Sequence, residues 1–345
     1  MTNPRLPLFF LPILCTASPL LAQGEVELRV TAKKGGSIWL SQTQKQEQTI
    51  DMGGQQMETS QTTTRVVEVT IKDVDDKGNL TVETKIARIH GHMEMPQMGE
   101  MEFDSAAPAE EADDSGMAGM MSMMTKSMMV GAGKSFTAKV NSQGKVVELL
   151  DGAAELLKGG GNRMMGGSSI DEGTLKQIVQ NAFGMLPEKP VAIGGKWAHT
   201  QNDTRGRGPI EQKLELTLAK ADADLIEITA TGTVAKPGGK QDGKDEPEAG
   251  GEQAAAARQI MDSMKVSNGK VSGMQRISRQ DGFVVETTST VTMDVEASSP
   301  MGEMQMSVKT ISSTKRCTAE DAAPKKKAEP AKDEGKKDAP KEAGK

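Results

Sequence analysis

The feature that most constrains this chain is a two-residue alternation of apolar and polar side chains, present near its start and again further in. Val26, Leu28 and Val30 alternate with Glu25, Glu27 and Arg29, and within 62–71 Val67, Val69 and Ile71 fall on one side. Successive side chains of an extended strand point to opposite faces, so this period marks strands with one buried and one solvated face. Turn chemistry separates the runs. Asp73-Val74-Asp75-Asp76-Lys77-Gly78-Asn79 precedes Leu80-Thr81-Val82-Glu83-Thr84-Lys85-Ile86, and Asn141-Ser142-Gln143-Gly144 separates Phe136-Thr137-Ala138-Lys139-Val140 from Lys145-Val146-Val147-Glu148-Leu149. Both read as hairpins, the first needing a positive backbone angle at Gly78. Helical spacing occurs at 151–158 and at 171–185, where Leu175, Ile178, Val179, Ala182 and Phe183 recur on one face and Pro187 stops the run.

The chain also echoes itself. Gly35-Gly36-Ser37-Ile38-Trp39 is answered by Gly194-Gly195-Lys196-Trp197, Thr70-Ile71-Lys72-Asp73 by Thr217-Leu218-Ala219-Lys220, and Gln143-Gly144-Lys145-Val146-Val147-Glu148 by Asp281-Gly282-Phe283-Val284-Val285-Glu286. The first copy is longer between landmarks, and its excess falls in a Met-rich stretch. The expected fold is therefore α+β and mainly antiparallel: two duplicated meanders, each a curved sheet with a few covering helices. The first β-rich repeat spans 23–150, a helical connector 151–190, and the second repeat 191–317. Within the second repeat, the Gly, Lys, Asp, Glu and Pro mixture of 236–252 cannot build a core and reads as a solvated loop, and 318–345 reads as a disordered Lys/Ala/Glu/Pro tail.

Residues 1–22 have the layout of an export signal: Arg5, then an apolar run over 6–14, then Ser18-Pro19-Leu20-Leu21-Ala22 with cleavage expected after Ala22. That run is too short and too broken by proline to span a bilayer, which takes about 20 apolar residues, and no later segment qualifies. The expected location is periplasmic or secreted, with no transmembrane segment after cleavage. The mature chain would keep one cysteine, Cys317, so no internal disulfide supports the fold. A formal net charge of -6 argues against nucleic acid as a partner. Aromatic residues make up 2% of the chain and Tyr is absent, so the 24 Met must do much of the filling.

Taken in order, the Gly-Gly before an aromatic strand, the turn Met52-Gly53-Gly54-Gln55-Gln56-Met57, the 73–79 turn, Gly133-Lys134-Ser135-Phe136-Thr137, and Leu186-Pro187-Glu188-Lys189-Pro190-Val191 before Gly195-Lys196-Trp197 form a pattern. It resembles the secreted bacterial family called domain of unknown function 6263, across 26–314. The chain departs from that family in lacking tyrosines and in its polar insert at 237–252. The family has no assigned activity, so the resemblance implies the architecture and export and carries over no catalytic residue.

Chemical motifs are few. Val130-Gly131-Ala132-Gly133-Lys134-Ser135 looks like the end of a phosphate-binding loop, but Met128 stands where the first glycine belongs and a strand, not a helix, follows. Asp73, Asp75 and Gly78 suggest a calcium loop, yet Lys77 occupies a ligand position and Thr84 stands where the distal carboxylate should be. The cluster with chemical potential is His90, His92, Met93, Met95, Met98 and Met101, whose imidazoles and thioethers suit Cu(I). On one strand, however, His90 and His92 face away from Met93 and Met95. No serine elbow, zinc-protease helix or paired-cysteine knuckle occurs, and an enzyme is not expected. The expected function is non-catalytic binding of an apolar small molecule or lipid between curved sheet and helices. Cu(I) binding through the His/Met cluster and a structural role in the cell envelope are the alternatives.

Overall fold

The computed structural model describes residues 24–96, 99–108, 116–158, 170–203, 210–236, 263–299 and 302–323. The expected export signal at 1–22, the polar loop after Lys236 and the tail after Ala323 lie outside the described residues.

Twelve strands form one sheet among the described residues. The first six are β1 (Ser37–Met52), β2 (Gln55–Val74), β3 (Leu80–Met95), β4 (Gly99–Asp104), β5 (Ser135–Val140) and β6 (Val146–Leu149). Three helices follow or interrupt them: α1 (Gly116–Met128), α2 (Ala153–Lys158) and α3 (Glu172–Gln180). The remaining strands are β7 (Lys196–Asp203), β8 (Ile210–Ala221), β9 (Leu225–Ala235), β10 (Lys265–Ser278), β11 (Val284–Ser299) and β12 (Gly302–Cys317). The order across the sheet is β6-β5-β3-β2-β1-β12-β11-β10-β9-β8-β7, all antiparallel, with β4 on the distal part of β3.

The sequence predicts curved, mainly antiparallel sheet with few helices and leaves open how its two halves join; the structure has a single open, curved sheet. The reason lies in the edges. After pairing β2, strand β1 still presents a long row of unpaired backbone groups, and β12 does so after pairing β11. Joining them from Trp39↔Cys317 to Met52↔Met304 satisfies both rows at once. The local geometry of the echoed Gly-Gly motif is the same at its two occurrences. Gly35 N donates to Ile71 O (2.8 Å) and Ile71 N to Gly36 O (2.8 Å), while Gly194 N donates to Leu218 O (2.8 Å) and Leu218 N to Gly195 O (3.0 Å).

The alternation at the start of the chain marks extended backbone but no strand. Leu28 and Ala32 are buried, yet this segment bonds only at single points: Val26 pairs with Val191 in both directions, and Val30 N donates to Ser142 O (2.8 Å). It thus ties the β5–β6 turn to the approach to β7. The 73–79 segment is the expected hairpin. Asp75 accepts from Lys77 N, Asn79 N and Asn79 Nδ2, and these bonds hold its carboxyl at about 2, so it is occupied within its own turn.

Helix α3 begins where Asp171 accepts from Thr174 N (2.7 Å) and presents Leu175, Ile178 and Val179 to the sheet. It ends at Gln180, short of the expected 185, and Phe183 beyond it stacks against Phe283 at 5.5 Å. Two buried clusters result. One joins the inner faces of β1 to β6 to α2 and α3 and includes Met93, Met101 and Met128. The other lines β8 to β12 and includes Met264 and Met293. Burying such side chains contributes about 1.5–3 kcal/mol each, so thioethers here replace the missing aromatics as filling.

The opposite, outer face carries charge ladders such as Lys309–Glu47, Lys315–Glu286 and Arg276–Glu227. After β12 the chain crosses this face as a short 3-10 helix, Ala319–Ala322, at the head of the expected tail. Beneath it lies Arg88, 3% exposed, paired with Val66 on the outer side. Its guanidinium makes two parallel bonds to Asp104 (2.9 and 2.5 Å) and donates to Asp321 O (3.2 Å) and Ala323 O (2.6 Å). The hydrogen bond from Arg88 is the main reason the Asp104 carboxyl titrates below the usual range. Replacing Arg88 by Ala leaves these acceptors without their donor, and a loss of about 2–4 kcal/mol is expected in urea unfolding. Limited proteolysis should then cut 318–323 sooner than in the parent; equal cutting rates would show that Arg88 does not hold the segment. Burial, reinforced by Asp321, pushes the Cys317 thiol up to about 11. Native protein at neutral pH should therefore react slowly with iodoacetamide at Cys317 and quickly once unfolded, as mass spectrometry would show.

Candidate functional site

The sheet register sets side chains of the central strands in lateral rows on the inner face. One row runs Gln42, Thr314, Thr287 and Gln275 across β1, β12, β11 and β10. The next runs Gln44, Ser312, Ser289 and Gly273, then Ala230 on β9. The third runs Gln46, Thr310, Val291 and Val271. Between two apolar clusters, the sheet therefore has a band whose inner face is built largely of amides and hydroxyls.

The first row fastens a roof. Gln42 Nε2 donates to Ile178 O on α3 (3.0 Å), and Gln275 Oε1 accepts from Met185 N (3.1 Å) in the segment that follows the helix. The approach is close at Gly184, where an added Cβ would lie 2.4 Å from Ile277 Cδ1 and the backbone already has φ of 77°. The second and third rows are left uncovered. Together with the 181–191 segment and the inner face of β7, they enclose a cavity of about 820 Å³. The small side chains of Ser312, Ser289, Gly273 and Ala230 give it depth, and Met185, Leu186, Pro187, Val191 and Met293 give it apolar walls.

Strand β7 contributes Trp197 and His199, two residues apart and so on one face. Burial lowers the His199 pKa, and the nearby charge of Lys145 lowers it further, so the imidazole is neutral at neutral pH. Trp197 Nε1 and Thr287 Oγ1 are covered and have no hydrogen-bond partner among the described residues. The charged lining residues are Lys145, Glu188, Lys189 and Lys196, all exposed and therefore at the mouth. Lys196 pairs with Glu215 at 2.7 Å.

The sequence-derived His/Met set lies elsewhere. Met93 and Met101 face each other across β3 and β4 and are buried in the first cluster, with Met95 packed beside them. His92 is exposed and stands opposite Glu102, and His90 stands opposite Asp104, both on the outer side of β3. Met98 lies outside the described residues. The two imidazoles on β3 are thus on the opposite face of the sheet from the thioethers of Met93 and Met95 on β3 and Met101 on β4. No group of three or more His, Cys, Asp or Glu converges as metal ligands would among the described residues. Sequence reasoning missed the cavity residues because a strand such as Ser41-Gln42-Thr43-Gln44-Lys45-Gln46 is polar on both faces and reads as solvated. The usable signal was that polarity itself, in a strand next to strongly apolar ones.

The fold and cavity define an antiparallel β-sheet protein with a partly open inner-face cavity whose charged residues stand at its mouth. The chain belongs to the Family of unknown function (DUF6263), whose model matches residues 77–284. No curated protein matches it. Among solved structures, the chain is similar to lipovitellin, from work titled "Lipid-protein interactions in lipovitellin", at 9% identity and a TM-score of 0.42 over 86% of this chain and 26% of that one. It therefore spans about a quarter of the lipovitellin chain. It is also similar to the COG4313 outer membrane channel from Pseudomonas putida F1, at 7% identity and a TM-score of 0.29 over 84% of this chain and 97% of that one. A DUF1329 family protein from Desulfovibrio piger ATCC 29098 is 7% identical, with a TM-score of 0.14 over 78% and 83% of the two chains. No helix among the described residues is long and apolar enough to cross a membrane.

The state of His199 has a consequence for stability. Its pKa is lowered on folding, so the unfolded chain binds the proton more readily. Its contribution is full at high pH and declines as pH falls through the ordinary histidine value of about 6.5. Urea unfolding across that range should show a loss of stability that His199→Gln reduces. Asp75 and Asp222, both held at about 2, lose their contributions only in more acid solution, below the carboxylate value of 3.8, so the two effects separate. Identical pH profiles for parent and variant would show that His199 carries no such penalty.

Proposed function

We propose that this chain is an exported, non-catalytic binding protein that takes a lipid-like ligand in the cavity between the central strands and the α3–β7 segment. The observation that carries the reading is the cavity itself: about 820 Å³, within the range of roughly 300–1,000 Å³ usual for small-molecule sites. Its walls are partly apolar, and Met185 and Met293 are adaptable side chains that can repack around ligands of varied shape. The interior offers His199 as its titratable group, while the charged residues stand at the mouth, which favours binding over acid–base chemistry. Export rests on the layout of residues 1–22. We also infer the duplication expected from sequence, with the matching turns at Gly35-Gly36 and Gly194-Gly195 as its support. On that reading the cavity lies beside the junction of the two copies.

The test is native mass spectrometry on protein recovered from its own compartment. A discrete lipid-sized added mass is expected, absent from a Ser312→Leu variant that fills the floor, on a chain beginning after Ala22. A clean unliganded mass, with no thermal shift on adding mixed lipids, would remove the reading.

A further inference from the structure

Two kinds of polar residue occupy the inner face of the central strands, and they are used differently. Gln42 and Gln275 are engaged, since they hold the roof. Gln46, Thr310, Ser312 and Ser289 line the cavity, are half-buried, and make no side-chain hydrogen bond among the described residues. They are adjacent: Gln46 stands opposite Thr310, Ser312 opposite Ser289, and the two pairs occupy neighbouring rows. Among the described residues no hydrogen bond engages these side chains, and their strands would pack at least as well with apolar residues at these positions.

Resting on the binding-protein reading, we propose that this patch receives the uncharged, hydroxyl-rich head of an amphiphile, such as a sugar or glycerol group, and that the tail follows the apolar walls. Three ligand chemistries can be compared at this floor. A pure hydrocarbon would cover four hydrogen-bonding side chains and leave each without water or partner, a cost set by their desolvation. A charged head would lose its hydration at a floor with no formal charge, because Lys145, Lys189 and Lys196 stand exposed at the mouth and His199 is neutral. A polyhydroxyl group instead replaces the waters of the patch bond for bond, since Ser, Thr and Gln each donate and accept. Trp197, which lines the same cavity from β7, carries an aromatic ring, and the electron-rich face of such a ring attracts the weakly positive C–H groups of a sugar.

Calorimetric titration of full-length mature protein decides the matter, using octyl glucoside, octanoate and octyl phosphocholine below their micelle concentrations and free glucose as the headgroup alone. Octyl glucoside should bind about tenfold or more tighter than either charged amphiphile. That preference should vanish in the triple variant Gln46→Leu, Ser289→Ala, Ser312→Ala, whose folding is checked by its melting curve. The comparison within the parent protein stands even if the triple variant does not fold. Equal binding of all three amphiphiles, or tighter binding of a charged one, overturns the neutral-head assignment and leaves the binding-protein reading in place. Glucose binding as tightly as octyl glucoside supports the polyhydroxyl floor and overturns the amphiphile. No binding by any of the four overturns both.

Discussion

The pairing of β1 with β12 is the interaction on which the rest depends. It joins the first strand of the sheet to the last along nearly their whole lengths, from Trp39↔Cys317 to Met52↔Met304. Without it the chain would form two smaller sheets, each with a long exposed edge, and no band of amides and hydroxyls would cross the middle. The rows that make the cavity floor exist because Gln42, Gln44 and Gln46 on β1 come level with Thr314, Ser312 and Thr310 on β12. A one-residue slip would send that set to the outer face, among the charge ladders.

The division of labour along the inner face follows from this register. Apolar side chains dominate towards both ends, where helices or neighbouring strands cover them, and polar ones gather where the cover is partial. Gln42 and Gln275 meet backbone groups of the roof, so the roof is held by hydrogen bonds where it crosses the polar band. Such bonds contribute about 1 kcal/mol each and are directional, which suits a segment that must be positioned over an open space. The methionines fit the same logic. Met93, Met101 and Met128 fill irregular gaps in a core with few aromatic rings.

Much of the local structure was legible in the sequence, because local structure is written in local chemistry. The turn at Gly78, the hairpin at Gly144 and the helical run that opens at Asp171 each depend on residues within a few positions of one another. The opposed faces of His90 and Met93 follow from the period of a strand. What could not be read was pairing between distant segments. Nothing near Trp39 points to Cys317, and the alternating start of the chain gives buried contacts without a ladder. The cavity was hidden for a related reason: Gln44 and Gln46 look like solvated residues until β12 and α3 show which face is enclosed. The C-terminal segment over Arg88 was also invisible, since a lone arginine in a strand carries no sign of what will cover it.

The central place of β12 bears on how the molecule comes into being. Strands β1 and β2 are made early, yet one side of β1 has no partner until residues 304–317 exist, which is nearly the end of the described chain. The sheet therefore cannot be completed before β12 has been made. The contacts that complete it are among the most distant in sequence that the chain can make, and contacts of that kind slow the final step of folding. If the chain is exported as we propose, a topology that defers its central seam until β12 has been made keeps the polypeptide open for longer before transport.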